Sequence, residues 1–224
     1  MNIAVFGAKG RVGSKVVELA KKRGHTVLAI DIKDTEKNNE QYHAVPTSKT
    51  TSVPVDTEKI DAVIDFSTAD ATHEVCNFCK SNRCALISGV TGRNQQQSAE
   101  IANLSRQLPV VCKANFSVGV EILHRLCEIV AKELPDWDCE IVETHRKGKL
   151  DAPSGTAKSI ATRICRQKSF KKVIVHALRC GSNFGRHEVT FATNGESLTL
   201  THQAEGVEIF ALGAIIEAEN LKRS

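Results

Sequence analysis

The sequence predicts an α/β protein in which a doubly wound parallel sheet is followed by an α+β region with a mixed or antiparallel sheet. Two observations support this prediction. Up to about residue 116, short apolar runs alternate with segments whose apolar residues recur at helical spacing, as in parallel sheets covered by helices on both faces. From about residue 172, three alternating segments are separated by glycine-containing turns, which is typical of hairpin-connected strands.

The first thirty residues predict a βαβ unit. Ile3–Phe6 is a short apolar run, and Val12–Arg23 carries apolar residues at helical spacing. Thr26–Ile30 predicts a second strand that closes on Asp31. The polar stretch from 33 to 51 has no strong periodicity, so it predicts loops with one weak strand.

The same two periodicities predict the remaining elements. In the first part of the chain they predict strands at Ile60–Phe66, Cys84–Ser88 and Val110–Lys113, and helices at Ala69–Ser81 and Gln95–Arg106. In the second part they predict helices at Val118–Glu133, Gly155–Arg166 and Gly206–Asn220, and strands at Asp138–Glu143, Lys172–Leu178, Arg186–Ala192 and Ser197–Ala204.

Composition and charge exclude several classes of function. The 224 residues include 30 Lys and Arg against 26 Asp and Glu, and the basic residues are scattered, so we expect no nucleic-acid partner. No run approaches the roughly 18 apolar residues of a membrane span, so we expect no membrane partner. The N-terminus lacks the pattern of a signal peptide, which predicts a cytoplasmic protein whose eight cysteines are thiols.

One cysteine cluster raises the hypothesis of a metal site. His73, Cys76, Cys79 and Cys84 follow the pattern H-x2-C-x2-C-x4-C, which is similar to zinc or iron–sulfur ligand spacing. The strand–helix–strand pattern offers another explanation, with Cys76 and Cys79 on the buried side of one helix and Cys84 opening the next strand. We favour core thiols and predict no metal site.

A glycine-rich loop, Gly7-Ala8-Lys9-Gly10-Arg11-Val12-Gly13, joins the first predicted strand to the first helix. A helix N-terminus offers unpaired N–H groups and partial positive charge to a pyrophosphate, and glycines let the backbone approach it. Asp31 follows the second strand about twenty residues on, where an acid can accept hydrogen bonds from a ribose. The pattern predicts a dinucleotide site. The alternative is a glycine-rich turn that binds no ligand.

The residues around this loop leave the choice between NADH and NADPH open. The charge of Asp31 repels the 2′-phosphate of NADPH and favours NADH, whereas Arg11 and Lys33 are close enough in sequence to offset that repulsion. We therefore predict NADH, NADPH or both as the cofactor. Its contacts on this side are predicted at Gly7, Ala8, Lys9, Gly10, Arg11, Val12, Asp31 and Lys33.

The segment from 143 to 156, E-T-H-R-K-G-K-L-D-A-P-S-G-T, is the most unusual passage in the chain. His145, Arg146, Lys147 and Lys149 lie within five positions, an arrangement that suits a bound anion because like charges otherwise repel. His145, with a pKa near neutrality, can deliver a proton. The turn that follows opens a helix, whose N–H groups can bind a carboxylate. The alternative is a solvated basic loop.

Together these passages resemble the dihydrodipicolinate reductase family, also called 4-hydroxy-tetrahydrodipicolinate reductase. The most specific match is Glu-x-His-x-x-x-Lys-x-Asp-Ala-Pro-Ser-Gly-Thr-Ala. The other matching segments run in the same order along almost the whole chain: Gly7–Gly13, Asp65–Ser67, Gly89–Gly92, Ala114–Val120, Arg179-x-Gly181 and Gly185-x-His187-Glu188-Val189. The chain departs from the family at Arg146, where a second histidine is common. Arginine can bind a carboxylate in bidentate fashion, but it cannot relay a proton at neutral pH.

The resemblance implies a reaction and the residues that perform it. A hydride passes from NAD(P)H to a cyclic, unsaturated pyridine dicarboxylate and gives tetrahydrodipicolinate, in diaminopimelate and lysine biosynthesis. His145 matches the general acid, and Lys149 matches the residue that holds the substrate and stabilises its negative charge. Further substrate contacts are expected at Arg146, Ser154, Gly155 and Thr156. Further cofactor contacts, around the nicotinamide, are expected at Gly89, Thr91, Ala114, Asn115 and Phe116.

We expect two domains. Residues 1–116 form a Rossmann-like dinucleotide-binding domain, joined by the C-terminal helix at 205–224, and residues 117–204 form a substrate-binding and oligomerisation domain. The resemblance implies a homotetramer built through the sheets of the second domain. Two alternatives stay open: another NAD(P)-dependent dehydrogenase of the same architecture, and a non-catalytic regulator that senses NAD.

Overall fold

The computed structural model describes residues 1–31, 42–43, 59–167, 170 and 172–223. The described residues divide into two compact units, one formed up to 116 and again from 210 onward, the other formed from 117 to 209. Within the described ranges, no helix is long and apolar enough to cross a membrane.

The first unit contains a parallel sheet whose strands are β1 (Asn2–Phe6), β2 (Thr26–Ile30), β3 (Tyr42–His43), β4 (Ala62–Asp65), β5 (Ala85–Ser88) and β6 (Val110–Cys112). Its helices are α1 (Gly13–Lys22), α2 (Thr72–Asn82) and α3 (Gln95–Ser105). The strand order is β3-β2-β1-β4-β5-β6, with parallel pairing throughout. The predicted doubly wound parallel sheet is confirmed.

The second unit contains the helices α4 (Val118–Glu133) and α5 (Gly155–Cys165) and a sheet of four strands: β7 (Asp138–His145), β8 (Ile174–Arg179), β9 (Gly185–Thr193) and β10 (Glu196–Ala204). The order is β10-β9-β7-β8, with β7 and β8 parallel and the other pairs antiparallel. The predicted mixed sheet is confirmed. The chain continues into α6 (Glu208–Arg223), most of which belongs to the first unit.

The core of the first unit lies on both faces of its sheet, because side chains alternate along each strand. Ile3 and Val5 of β1 pack on one face with α1 and α6, and Ala4 and Phe6 pack on the other face with α2 and α3. The second face also holds the three cysteines of the cluster weighed as a metal site: Cys76, Cys79 and Cys84. His73 lies apart from them on the exposed surface, where it pairs with Glu100 at 3.0 Å.

The sheet of the second unit is covered on one face. Alternate residues of β7 and β9, such as Ile141 and Val189, pack beneath α4 and α5. The opposite face exposes large apolar side chains of β8, of which Ile174 and Leu178 are 46% and 50% exposed. This face therefore leaves apolar surface without cover inside the unit.

β7 runs two residues further than the sequence predicts. The prediction ended this strand at Glu143, but parallel pairing with β8 extends it, with Thr144 opposite Leu178 and His145 opposite Arg179. The alternation ends in polar residues, which hid the extension from sequence reasoning. As a result, His145 lies at the end of a strand and is buried, which contradicts the alternative of a solvated loop for this residue.

Candidate active site

In the first sheet, β2 and β3 lie on one side of β1, and β4, β5 and β6 lie on its other side. The order in which strands are added therefore reverses between β1 and β4. The helices that follow these two strands pack on opposite faces. At such a point the loops after neighbouring parallel strands diverge and leave a crevice in which nucleotides bind. The two loops begin at Gly7 and Phe66, and they approach so closely that a Cβ on Gly7 would lie 2.6 Å from the carbonyl oxygen of Phe66.

The loop after β1 requires glycine at two positions. Gly7 has a φ of +72°, in the left-handed region that favours glycine. Gly13 lies so near the loop that a Cβ there would be 2.0 Å from the carbonyl oxygen of Gly7. Val12, which precedes α1, has no side-chain oxygen with which to cap the helix, so a phosphate can take that place. The loop therefore fits the pyrophosphate of a dinucleotide.

Two backbone N–H groups of this loop are used inside the protein. The N–H of Ala8 donates to the carbonyl oxygen of Ile30 at 3.1 Å, and the N–H of Gly10 donates to that of Gly7 at 2.9 Å. Ala8 is also fully buried. These two predicted cofactor residues therefore fix the shape of the loop.

Asp31, the predicted ribose-binding acid, lies buried just after β2. Its carboxylate accepts a hydrogen bond from the backbone N–H of Lys9 at 2.9 Å, which connects the end of β2 to the glycine loop. The side chains of Lys9 and Arg11 are exposed on that loop. Lys33, also predicted to contact the cofactor, lies outside the described residues.

Two of the residues predicted to flank the nicotinamide, Gly89 and Phe116, contact Phe66. The rings of Phe66 and Phe116 meet edge to face with centroids 5.9 Å apart. A Cβ on Gly89 would lie 2.3 Å from the Phe66 ring, so this ring and the turn after β5 are in direct contact. The other predicted residues follow β5 and β6 and are exposed or half-buried: Thr91, Ala114 and Asn115.

A buried polar network beneath this turn was not predicted. The carboxylate of Asp65, 1% exposed, accepts hydrogen bonds from Ser88 Oγ at 2.8 Å and from Arg93 Nη2 at 3.3 Å. Arg93 also donates to Ser88 Oγ at 2.6 Å and to the carbonyl oxygen of Val90 at 2.9 Å. Arg93 therefore anchors the turn that carries Gly89. Sequence reasoning missed this network because its members lie on separate strands and loops.

In the second unit, the imidazole of His145 lies between Glu143 and Gly185. Its Nδ1 hydrogen bonds to the carboxylate of Glu143. Its Nε2 points towards Gly185, where a Cβ would lie 2.9 Å from that nitrogen. The carbonyl oxygen of His145 accepts a hydrogen bond from the N–H of Cys180 at 3.0 Å, so the backbone at this position is also held.

Glu143 is fully buried, yet its carboxylate has several donors. Arg179 Nη2 donates to Oε1 at 2.7 Å, the backbone N–H of Ser154 donates to the same oxygen at 3.1 Å, and His145 binds the other oxygen. Burial raises the pKa of Glu143, but the hydrogen bonds from Arg179, His145 and Ser154 outweigh burial and bring the pKa below its ordinary value. Glu143 is therefore an ionised carboxylate at neutral pH.

His187 is the second histidine of this cluster. Its ring meets that of His145 edge to face, with centroids 5.3 Å apart, and its Nε2 lies 3.2 Å from Ser154 Oγ. Ser154 Oγ also caps α5 by accepting from the N–H of Ala157 at 3.2 Å. Burial lowers the pKa of His187 to about 4, so this ring is neutral at pH 7.

The pKa of His145 lies below its ordinary value. Burial lowers this pKa most. Glu143 acts to raise it, whereas Lys149 and Arg179 lower it further. His145 is therefore mostly neutral at pH 7 in the free site.

The other predicted substrate residues are close to His145 in sequence, between residues 146 and 156. Lys149 Nζ lies 2.7 Å from a carboxylate oxygen of Asp151. Arg146 is exposed, and Gly155 and Thr156 form the first turn of α5. The N–H of Ser154 donates to Glu143 and its hydroxyl caps α5, and its predicted substrate contact stays a prediction.

Sequence reasoning assigned no role to Glu143, Arg179 or His187. All three lie in segments that carried the family resemblance, which was the available signal. Their proximity arises from strand pairing, since Glu143 lies opposite His187 and His145 lies opposite Arg179. The ligand atoms of Glu143, His145 and His187 lie within 4.8 Å of one another, but Arg179 already neutralises the carboxylate. The prediction of no metal site stays a prediction.

Comparisons with known proteins agree with the resemblance. A family model described as dihydrodipicolinate reductase, N-terminus, matches residues 1–116, and one described as dihydrodipicolinate reductase, C-terminus, matches residues 119–224. A 4-hydroxy-tetrahydrodipicolinate reductase from Natronomonas pharaonis is 34% identical over 235 residues, which cover 98% of this chain and 94% of that protein. One from Thermosipho africanus is 34% identical over 219 residues, which cover 98% of this chain and 90% of that protein.

Solved structures show the same fold. Dipicolinate-bound dihydrodipicolinate reductase from Paenisporosarcina sp. TG-14 superposes with a TM-score of 0.81 at 20% identity, covering 100% of this chain and 95% of that chain. Aspartate semialdehyde dehydrogenase II from Vibrio cholerae gives a TM-score of 0.60 at 10% identity, covering 100% of this chain and 98% of that chain, which is likeness of fold alone. The chain therefore belongs to the dihydrodipicolinate reductase family, whose members are NAD(P)H-dependent oxidoreductases of lysine and diaminopimelate biosynthesis.

Proposed function

We propose that this chain reduces the dihydrodipicolinate/4-hydroxy-tetrahydrodipicolinate substrate to tetrahydrodipicolinate, with His145 as general acid and Lys149 as substrate-binding cation. The observation that carries this proposal is a buried imidazole held by an ionised carboxylate, four positions before a lysine, within the family's most specific segment. When bound, a nicotinamide cofactor supplies the hydride. The protein supplies the proton and binds the dicarboxylate.

The proton is proposed to leave from Nε2 of His145. In the free site the pKa of His145 is low because the ring is buried, so the ring is mostly neutral. A substrate with two carboxylates brings negative charge close to the ring and favours the imidazolium. His145 then takes up a proton as the substrate binds. Its Nε2–H donates this proton to the substrate as the hydride adds to the substrate ring. The carboxylate of Glu143 neutralises the imidazolium while it exists.

Lys149 is proposed to exchange one carboxylate for another. In the structure its ammonium pairs with Asp151, an exposed and therefore weakly held partner. A substrate carboxylate can replace Asp151 without leaving a buried charge unpaired. Once there, Lys149 stabilises the negative charge of the substrate while the hydride adds.

The remaining substrate contacts are proposed at the rim of the cluster. Arg146 is exposed and can form a bidentate pair with a carboxylate. Gly155 and Thr156 begin α5, so their backbone N–H groups lie at the positive end of the helix dipole. Ser154 supports these contacts from within the protein, since its own N–H and hydroxyl bind Glu143 and the helix.

We further propose that the site accepts both NADH and NADPH. Asp31 is suited to a ribose diol and disfavours a 2′-phosphate. Lys9 and Arg11 are exposed on the neighbouring loop, and their charges can offset that repulsion. The predicted contacts of Gly7, Val12, Gly89 and Phe116 do not distinguish the two cofactors, because pyrophosphate and nicotinamide are common to both.

For the assembly we propose a homotetramer in the cytoplasm. The support is the uncovered face of the second sheet, where Ile174 and Leu178 are exposed. Apolar side chains on one sheet face are suited to packing against the same face of another copy.

A coupled assay tests the proposed function. The purified chain is mixed with the freshly made product of dihydrodipicolinate synthase, and oxidation of NADH and of NADPH is followed separately at 340 nm. The proposal expects oxidation of both cofactors that depends on the synthase product. Oxidation of neither cofactor would support another dehydrogenase or a non-catalytic NAD sensor instead.

A further inference from the structure

We infer that Glu143 is the positioning residue for the general acid: it holds the proton of the His145 ring on Nδ1, so that Nε2 is the nitrogen that exchanges a proton with the substrate. This inference rests on the proposed role of His145 as the general acid. Nothing in the family resemblance assigns a role to Glu143, whose role follows from its contacts in this chain.

The first step is that Glu143 can only accept hydrogen bonds. Its carboxylate is fully buried, and Arg179 Nη2 lies 2.7 Å from Oε1. The backbone N–H of Ser154 reaches the same oxygen at 3.1 Å. Two donors, one of them charged, keep this carboxylate ionised, and an ionised carboxylate has no proton to give.

The second step concerns the ring of His145. Because the partner of Nδ1 is an acceptor, the neutral ring must carry its proton on Nδ1 and leave Nε2 as the basic nitrogen. Nε2 faces Gly185, which has no side chain, and a Cβ at that position would lie 2.9 Å from it. The ring is therefore fixed at Nδ1, and the absence of a side chain at residue 185 keeps Nε2 from being blocked on that side.

The third step is the network that holds Glu143 in place. β7 carries both Glu143 and His145, two positions apart, so their side chains lie on the same face of the sheet. Arg179 arrives from β8, where it pairs with His145, and Ser154 arrives from the start of α5. Three separate elements therefore converge on one carboxylate, which fixes the direction of the imidazole.

The charged groups around His145 determine how easily its ring is protonated. The titratable or charged groups that face its ring are Glu143, Lys149, Arg179 and His187. Of these, Glu143 is the one that favours the imidazolium. Removal of its charge leaves two cations and a neutral ring, so protonation of His145 becomes harder.

The test compares Glu143→Gln with a matched control, Glu140→Gln. Glu140 lies on the same strand and also pairs with a histidine, His176 at 2.9 Å, but this pair is exposed and outside the cluster. We expect Glu143→Gln to lower kcat at least about tenfold with KM changed less than about threefold. The alkaline limb of kcat/KM against pH should move to lower pH, because the pKa of His145 falls. Glu140→Gln should match the unchanged protein in all three quantities.

A spectroscopic measurement keeps the inference testable if Glu143→Gln does not fold. In the unchanged protein, 15N NMR of selectively labelled histidine shows which nitrogen of neutral His145 carries the proton, with His145→Gln used to assign the signal. We expect the Nδ1–H form. The Nε2–H form would overturn the inference.

His145→Gln distinguishes failure of the proposed function from failure of the role of Glu143. Unchanged turnover in His145→Gln would overturn the proposed function of His145. A large loss in His145→Gln together with unchanged kcat and an unmoved alkaline limb in Glu143→Gln would overturn only the role of Glu143.

Discussion

The carboxylate of Asp31 accepts a hydrogen bond from the backbone N–H of Lys9 at 2.9 Å. One buried acid thus does two things: it fixes the glycine loop after β1, and it places a negative charge where the ribose of a dinucleotide is expected. Removal of that charge has consequences for both cofactor choice and loop shape.

Asp31→Asn should therefore shift the chain towards NADPH. An amide keeps a side-chain oxygen that can accept from Lys9, but it no longer repels a 2′-phosphate. We expect the ratio of kcat/KM for NADPH to that for NADH to rise at least about tenfold, the effect of roughly 1.4 kcal/mol. Steady-state kinetics with each cofactor measures this ratio. Asp70→Asn, an exposed acid of the same unit, is the control, and an equal shift in both variants would contradict the role of Asp31.

Gly185→Ala should impair catalysis in addition to any loss of stability that a positive φ causes. Its φ is +155°, and an added methyl group would lie 2.9 Å from Nε2 of His145, so the ring must move from its place. We expect kcat to fall about tenfold or more while NADH binding is retained. Gly195→Ala is a matched control: Gly195 also has a positive φ, +98°, but an added Cβ meets nothing within 4 Å. It should cost stability without a loss of kcat, and equal losses of kcat in both would refute this account.

The fold was largely predictable from the sequence, because it follows from local patterns. Apolar runs such as Ile3–Phe6 mark buried parallel strands, and the glycine loop marks the start of α1. The strand at Tyr42–His43 was predicted only as a weak strand without bounds, since that stretch has no periodicity. The end of β7 was placed two residues too early, because pairing with β8, which sequence pattern does not show, extends the strand.

The candidate site was predictable only where its residues are close in sequence. His145 and Lys149 lie in one short segment, and the resemblance named both. Glu143, Arg179 and His187 meet through pairing between β7, β8 and β9, and no spacing in the sequence reports that meeting. The direction in which the pKa of His145 shifts was not predictable from the sequence either, because it depends on burial.

His187 makes stability depend on pH. Its pKa is lowered from 6.5 to about 4 by burial, so the unfolded chain binds a proton more readily than the folded chain between these values. Stability is therefore fully present above pH 6.5 and is lost as pH falls towards 4, by up to about 3 kcal/mol for this group. Calorimetric unfolding at pH 7 and pH 5 measures the change. His187→Asn should show a smaller difference between the two pH values, and an undiminished difference would contradict the assignment.

Arg93 should contribute more to stability than an exposed arginine of the same unit does. Arg93→Leu leaves the carboxylate of Asp65 buried without its cation, and such a loss costs about 3 kcal/mol. We expect a clear fall in Tm, which Asp65→Asn in the same chain partly restores. Arg106→Leu removes an exposed arginine of the same unit and should leave Tm nearly unchanged. Equal Tm values for both single variants would show that the network contributes nothing.

The roles of His145 and Lys149 are tested by measuring turnover and cofactor affinity together in His145→Gln and Lys149→Ala. His176→Gln, an exposed histidine of the second sheet, serves as control. The account predicts that kcat falls at least about 100-fold in each of the two site variants, while the Kd for NADH stays within about twofold and the control is unchanged. Unchanged kcat in both site variants would contradict the account.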